Sequence, residues 1–166
     1  MFDTFGEFDS WEEINKAAQG QKEEGDEEAL ITLAVENGID KEDAEDYFDG
    51  AIPELCTPVL AALGKLKVEK EEYKKTNKEK NIIDDWISYI ENLVSTNDGF
   101  ALSVREKGKS IKGCIGALLS YSFSHQASVD KDIIKEAKIN AGRVTMGIPC
   151  MQQAHKIIKD YYGGAL

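Results

Sequence analysis

Long apolar runs are missing from this sequence of 166 residues. No stretch approaches the ~18 consecutive apolar residues that a membrane-crossing helix needs. The opening, Met1-Phe2-Asp3-Thr4-Phe5, has neither the basic nor the apolar region of a secretory leader. The chain is therefore expected to remain in the cytoplasm with no membrane partner.

Cysteine is scarce: Cys56, Cys114 and Cys150 are an odd number without short ligand-like spacing, which argues against a disulfide framework and suits a reducing compartment. Histidine is scarcer still. His125 and His155 lie in helical patterns beside apolar or small residues rather than at a His-x-x-x-His spacing, so neither a metal nor a cofactor is expected. A Cys-His pair drawn from Cys114 or Cys150 with His125 or His155 would need a spatial meeting that sequence does not reveal, and cysteine packed as a small hydrophobe is the commoner arrangement.

Other catalytic patterns fail on specific positions. Gly108-Lys109-Ser110 has the ending of a phosphate-binding loop, but the glycine required five residues earlier is Ser103 and a helix precedes it. Carboxylates alternate from Asp40 to Asp49 as in a calcium loop, yet the sixth position, where the turn needs glycine, is Glu45. Asp84-Asp85 reads as a helix start rather than an acid-base pair. The residues point to a binding protein and not to an enzyme.

Ordinary core material is present: 42% of residues are hydrophobic and 31% charged. A chain of this size should bury ~70% of the surface it exposes when unfolded. Apolar residues recur at helical spacing almost throughout. Ser10-Trp11-Glu12-Glu13 has the form of a capping box and starts a first helix, which Gly25 should stop near Glu24. Asp26 then caps a second helix ended by Gly38, and Asp40 caps a third, from Lys41 to Asp49, closed by Gly50. Thr57-Pro58 is an N-cap with proline at the first helical position, opening a helix through Leu60, Leu63 and Leu66.

From Lys65 to Lys80 the chain is rich in lysine and glutamate, which reads as an exposed helical extension or a solvated linker and as the main organisational boundary. Beyond it, Ile82, Ile83, Trp86, Ile87, Ile90, Leu93 and Val94 form a wide apolar stripe that belongs to the core. A short helix should follow Asn97-Asp98-Gly99 and reach Lys107, and Ser110 should cap a helix burying Cys114, Ile115, Leu118, Leu119 and Phe123. Ser128 is a candidate cap for another inward-packing helix through Ile133 and Ile134. Residues 140–149 suit a short strand or extended loop, and a last helix carries Met151, Ala154, Ile158 and Tyr161. The expectation is an all-α fold: a small acidic helical N-terminal unit (1–64), a charged helical extension or linker (65–80) and a C-terminal helical bundle (81–166), with one short strand or hairpin near 140–149.

Charge separates the halves. Residues 1–50 hold 17 acidic and three basic side chains, net −14, while the other 116 residues hold 14 acidic and 17 basic ones, net +3, within a total of −11. Such a front end repels nucleic acid and attracts a basic protein surface, although carboxylates on solvated helix faces also serve solubility alone. The third helix concentrates the effect, with Glu42, Asp43, Glu45, Asp46 and Asp49 as the expected contacts. Arg105, Lys107, Lys109 and Lys112 cluster at a helix boundary and are candidates for a phosphate or an acidic partner.

Arg105-Glu106-Lys107-Gly108-Lys109-Ser110-Ile111-Lys112-Gly113-Cys114, Met146-Gly147-Ile148-Pro149 and Ile157-Ile158-Lys159-Asp160-Tyr161-Tyr162 resemble the C-terminal half of PcfK-like proteins of conjugative plasmids and phages, with a departure between Ala127 and Thr145. The opening, with Phe8-Asp9-Ser10-Trp11-Glu12-Glu13, Glu24-Gly25-Asp26 and Asp43-Ala44-Glu45-Asp46-Tyr47, is similar to phage-encoded anti-CRISPR proteins that inhibit the type II RNA-guided nuclease. The resemblance implies inhibition by binding, in a bacterial host cytoplasm, to the type II CRISPR effector nuclease carrying its guide RNA. That nuclease holds nucleic acid in basic channels and reads its flanking motif with arginines, surfaces an acidic helix can occupy. Direct nucleic-acid contact is secondary, and a homodimer is compatible with the sequence. The competing reading is an accessory protein of plasmid conjugation or phage replication that touches nucleic acid through Arg105, Lys107, Lys109 and Lys112.

Overall fold

The computed structural model describes residues 2–76 and 82–163. Among these, the chain is predominantly α-helical, with nine helices and one two-stranded antiparallel hairpin.

Three short helices open it. α1 (Trp11–Glu24) begins where Ser10 Oγ accepts the Glu13 N–H at 3.3 Å. The Glu13 carboxylate reaches back to the Asp9 N–H at 2.8 Å, one residue earlier than a reciprocal capping box would have it. α2 (Glu27–Glu36) is capped by Asp26, whose carboxylate accepts from Ala29 N at 2.9 Å. α3 (Lys41–Asp49) follows Asp40, which occupies the cap position but makes no capping bond; its carboxylate is instead 2.8 Å from Lys67 Nζ on the next helix. An ion pair to a lysine has displaced the expected local cap. Ile14, Leu30, Leu33, Ala44 and Tyr47 close this part of the chain around a first apolar core.

α4 (Pro58–Thr76) starts as expected, with Thr57 Oγ1 accepting from Leu60 N at 3.2 Å. It runs unbroken into the lysine-rich stretch as far as Thr76, and residues 77–80 of that stretch lie outside the described ones. This stretch is not simply solvated: Lys65 and Glu69 are both buried. Packing changes hands within α4, since Ala61 belongs to the first core while Ala62 and Leu66 belong to the second.

The second core is enclosed by α5 (Ile82–Thr96), α6 (Asp98–Arg105), α7 (Ile111–Ser124) and α9 (Met151–Tyr162). Ile83, Ile87, Ile90 and Val94 of α5 are buried, as their spacing requires, with Trp86 and Leu93 partly so, while Ile82 in the first turn is exposed. Asn97 caps α6, which ends at Arg105 rather than Lys107, and Ser110 caps α7 by accepting from Gly113 N at 3.0 Å. α7 and α9 run antiparallel. Tyr161 near the end of α9 sits against Gly113 at the start of α7, and Gly147, just before α9, lies against the Ser122 backbone near the end of α7.

The segment joining α7 to α9 departs most from the sequence reading. β1 (Ala127–Ser128) pairs with β2 (Thr145–Met146), Ala127 opposite Met146 and Ser128 opposite Thr145, so the expected strand within 140–149 exists. Ser128 is taken up by that ladder. The cap of α8 (Lys131–Glu136) is Asp130, which accepts from Asp132 N at 2.8 Å. Nor does α8 pack inward: it has no buried residue, and Leu119 and Phe123 of α7 are exposed as well. Helical spacing places these side chains on one stripe, but no element covers the stripe at that end.

Candidate protein-interaction surface

On α3, the helical repeat sets Glu42, Glu45, Asp46 and Asp49 within roughly 100° of arc, with Ala44, Tyr47 and Phe48 on the far side. Ala44 and Tyr47 are buried and Phe48 packs beside them, which turns the carboxylate arc to solvent. Glu42, Asp46 and Asp49 are exposed. Glu45 is half-buried and is tied to Lys41 four residues earlier at 2.6 Å. Asp43 stands apart on the flank of the helix, in a shallow groove lined with Leu60, Leu63, Gly64 and Lys67 of α4. Among the described residues, no ion pair reaches Glu42, Asp43, Asp46 or Asp49.

Several carboxylates elsewhere in the acidic unit are occupied, whereas Glu12, Glu24, Glu27 and Glu28 are exposed with no ion pair among the described residues. Glu36 accepts the backbone N–H groups of Asp3, Thr4 and Phe5 at 3.1, 2.7 and 3.0 Å. Burial alone would raise its pKa, but these donors together hold the carboxyl below its usual value. Glu7 pairs with Lys65, Asp40 with Lys67, and Asp9 accepts from Lys107 N at 2.7 Å. The anionic surface left for a partner is thus narrower than the −14 count suggests, and α3 carries one ordered part of it.

Of the basic candidates, Arg105 is withdrawn from the surface. Arg105 is buried at 1% exposure and donates from Nη2 to Asn37 Oδ1 at 2.9 Å, so it offers nothing to a phosphate at the surface. Lys109 donates to the Tyr161 carbonyl oxygen at 2.7 Å and lies over that ring. Lys107 and Lys112 are exposed, Lys112 beside Glu69, Glu72 and Ser110. A nucleic-acid contact built on these four therefore loses Arg105, while Lys107, Lys109 and Lys112 stay at or near the surface.

Sequence reasoning missed the buried polar layer between the two cores. Lys65 Nζ is 2.9 Å from Glu7 Oε1 and donates to the Glu106 carbonyl oxygen at 2.7 Å and to that of Arg105 at 3.5 Å. Glu69 accepts the Ile111 N–H at 2.7 Å. Burial pushes the Glu69 carboxyl up, against the pull of that N–H and of Lys65, and burial likewise draws Arg105 below its usual value, against Glu7, Cys56 and Glu69. The only sequence sign of this layer was charged residues at helical spacing, which is equally the signature of a solvated face.

The thiols and imidazoles form no nucleophilic pair. Burial pushes both Cys56 and Cys114 up to about 12, which leaves them protonated, and His125 and His155 are stacked on Tyr121 and Tyr89. Cys150 is exposed. The native chain should therefore take up one alkylating group promptly, at Cys150, and all three only after unfolding. Rapid labelling of Cys114 in the native protein, read by peptide mass, would contradict this packing.

No group of three or more His, Cys, Asp or Glu among the described residues is placed to hold a metal ion, and no described helix is long and apolar enough to cross a membrane. Comparison with protein-family models, curated proteins and solved structures found no match.

Proposed function

We propose that this chain is an anti-CRISPR protein that binds the guide-loaded type II RNA-guided nuclease and inhibits cleavage of target DNA, with the outer face of α3 as its contact. The observation that carries this reading is the state of the α3 carboxylates: Glu42, Asp46 and Asp49 are exposed on one side of a helix anchored through Ala44 and Tyr47, with no ion pair among the described residues. A row of unpaired anions on an anchored helix suits a cationic protein surface, because none of them need give up an internal partner on binding. The nuclease as partner rests on the likeness of the motifs above and on its basic nucleic-acid channels, where such a helix competes for sites that otherwise hold phosphate.

The test is a cleavage assay with assembled nuclease and guide, with and without this protein, paired with co-purification. The triple reversal Glu42→Lys, Asp46→Lys and Asp49→Lys should abolish both association and inhibition while leaving the helical CD spectrum and melting temperature near those of the parent, since none of the three is buried. Asp43 is left alone because it borders the α3–α4 groove, where reversal would also perturb packing. Complex formation by the parent should weaken as salt rises. Binding that survives the triple reversal would remove α3 as the contact, and cleavage unaffected by the parent protein would remove the function.

A further inference from the structure

The end of α7, the hairpin and the start of α9 leave an unusual amount of apolar surface uncovered. Leu119, Phe123, Ile133, Met146, Ile148 and Met151 are 55, 70, 61, 62, 64 and 62% exposed. At ~200 Å² per large apolar residue, these six alone present roughly 750 Å². The largest patch on a typical monomer is ~300–600 Å², and one partner's share of a standard stable interface is about 800 Å². The fold gathers five of them, roughly 630 Å² on the same reckoning, at one end, while Ile133 lies on α8 between the two strands. Leu119 and Phe123 are one turn apart on α7, Gly147 brings Met146 and Ile148 against the last turn of that helix, and the antiparallel run of α9 places Met151 beside the same turn.

We propose that this end is the interface of a homodimer, with a second copy of the chain as its occupant, related by a two-fold axis. Two features favour a second copy over a foreign partner. The surrounding charge is balanced and of both signs: residues 127–149 carry Lys131, Lys135, Lys138 and Arg143 against Asp130, Asp132 and Glu136. Alternating signs along a short helix let the same patch be its own complement, which an isologous contact requires. The second feature is the global field. Each copy carries −11, with −14 concentrated in residues 1–50, so two copies repel through the acidic unit and can approach only through a surface outside it. The C-terminal patch combines near-neutral charge with enough apolar area to overcome what repulsion remains. α3 takes no part in this contact.

The dimer should show an inverted salt response. Screening relieves the repulsion between two anionic copies while the apolar contact persists, so raising salt should tighten the dimer. A contact between opposite charges would loosen instead.

Sedimentation of the full chain over about two decades of concentration, at low and high salt, tests this. The mass should rise from that of one chain towards twice that value with concentration, and at a lower concentration in high salt. Phe123→Lys with Ile148→Lys should raise the dissociation constant about 100-fold or more, and the milder Phe123→Ser about tenfold, because a central apolar anchor carries most of an interface. Both side chains are exposed, so helical CD and melting of the dilute protein should stay unchanged. The α3 reversal should leave the dimer intact. A chain that stays monomeric throughout, a dimer insensitive to both Phe123 variants, or one that salt dissociates would overturn the proposal.

Discussion

Gly64→Ala should destabilise the chain by about 3 kcal/mol or more and lower its melting temperature by roughly 6–12 °C. α4 crosses the end of α2 at a point where two glycines face each other. A Cβ on Gly64 would overlap the Asn37 carbonyl oxygen, and one on Gly38 would overlap the Gly64 backbone. Both collisions are with main chain, so no side-chain rotation relieves them; the helices must separate. Gly38 also has φ +72, a left-handed conformation that adds strain for any other residue. The separation would spread, because Asn37 is fully buried and its amide holds both Leu33 O and Arg105 Nη2. Gly116→Ala is the control. That glycine lies within α7 with open space where a Cβ would go, and alanine there should stabilise by ~0.5–1 kcal/mol through helix propensity. Equilibrium denaturation followed by CD measures both. A Gly64→Ala protein that melts with the parent would mean the two helices are not in contact there.

Lys65→Met should cost about 3 kcal/mol, near the lower end for removing one member of a buried ion pair. Methionine keeps most of the apolar stem and deletes the ammonium, which leaves Glu7, the Glu106 carbonyl and the Arg105 carbonyl without their shared donor. Glu7 retains some access to water, its side chain being 26% exposed, and this keeps the loss from being larger. Adding Glu7→Gln should recover part of the loss, a coupling that a double-mutant cycle reads directly.

Glu69 gives the same substitution a signature in pH. Its folded-state pKa already lies above 4.5, so the folded form binds more protons than the unfolded one and stability falls as pH rises through that window. Lys65 is one of the charges opposing the rise. Without it the window widens upward, and the variant should lose stability between mildly acidic and neutral pH more steeply than the parent. Parallel pH profiles for the two proteins would show that Lys65 and Glu69 do not interact.

Local signals were legible in the sequence. Ser10, Asp26, Thr57 and Ser110 cap their helices because a cap depends on residues within one turn of it, and the inner stripe of α5 is buried because its apolar positions repeat without interruption. The α3 carboxylate arc was legible for a related reason: once Ala44 and Tyr47 face inward, the helical repeat fixes the remainder. Depth was not legible. Leu119 and Phe123 share the spacing of Cys114 and Leu118, yet whether another element covers that end depends on where the hairpin and α8 travel. Charge burial was not legible either. Lys65 and Glu69 look like Lys67 and Glu71 in sequence, and only the approach of Arg105 and the N-terminal segment separates them. Arg105 misled for the same reason, since its basic neighbours suggested a surface its own side chain does not share.

The continuity of α4 bears on how this protein can be divided. One helix supplies Ala61 to one apolar cluster and Ala62 and Leu66 to the other, so it acts as a party wall between two rooms. A fragment starting near residue 80 keeps the C-terminal helices but forfeits Leu66 and Glu69, and a fragment ending near 64 keeps Ala61 but forfeits Lys65, the partner of Glu7. The C-terminal piece has no closed interior of its own, so truncations that remove α4 should yield aggregation-prone products, whereas exchanges confined to the α8 excursion leave the wall standing.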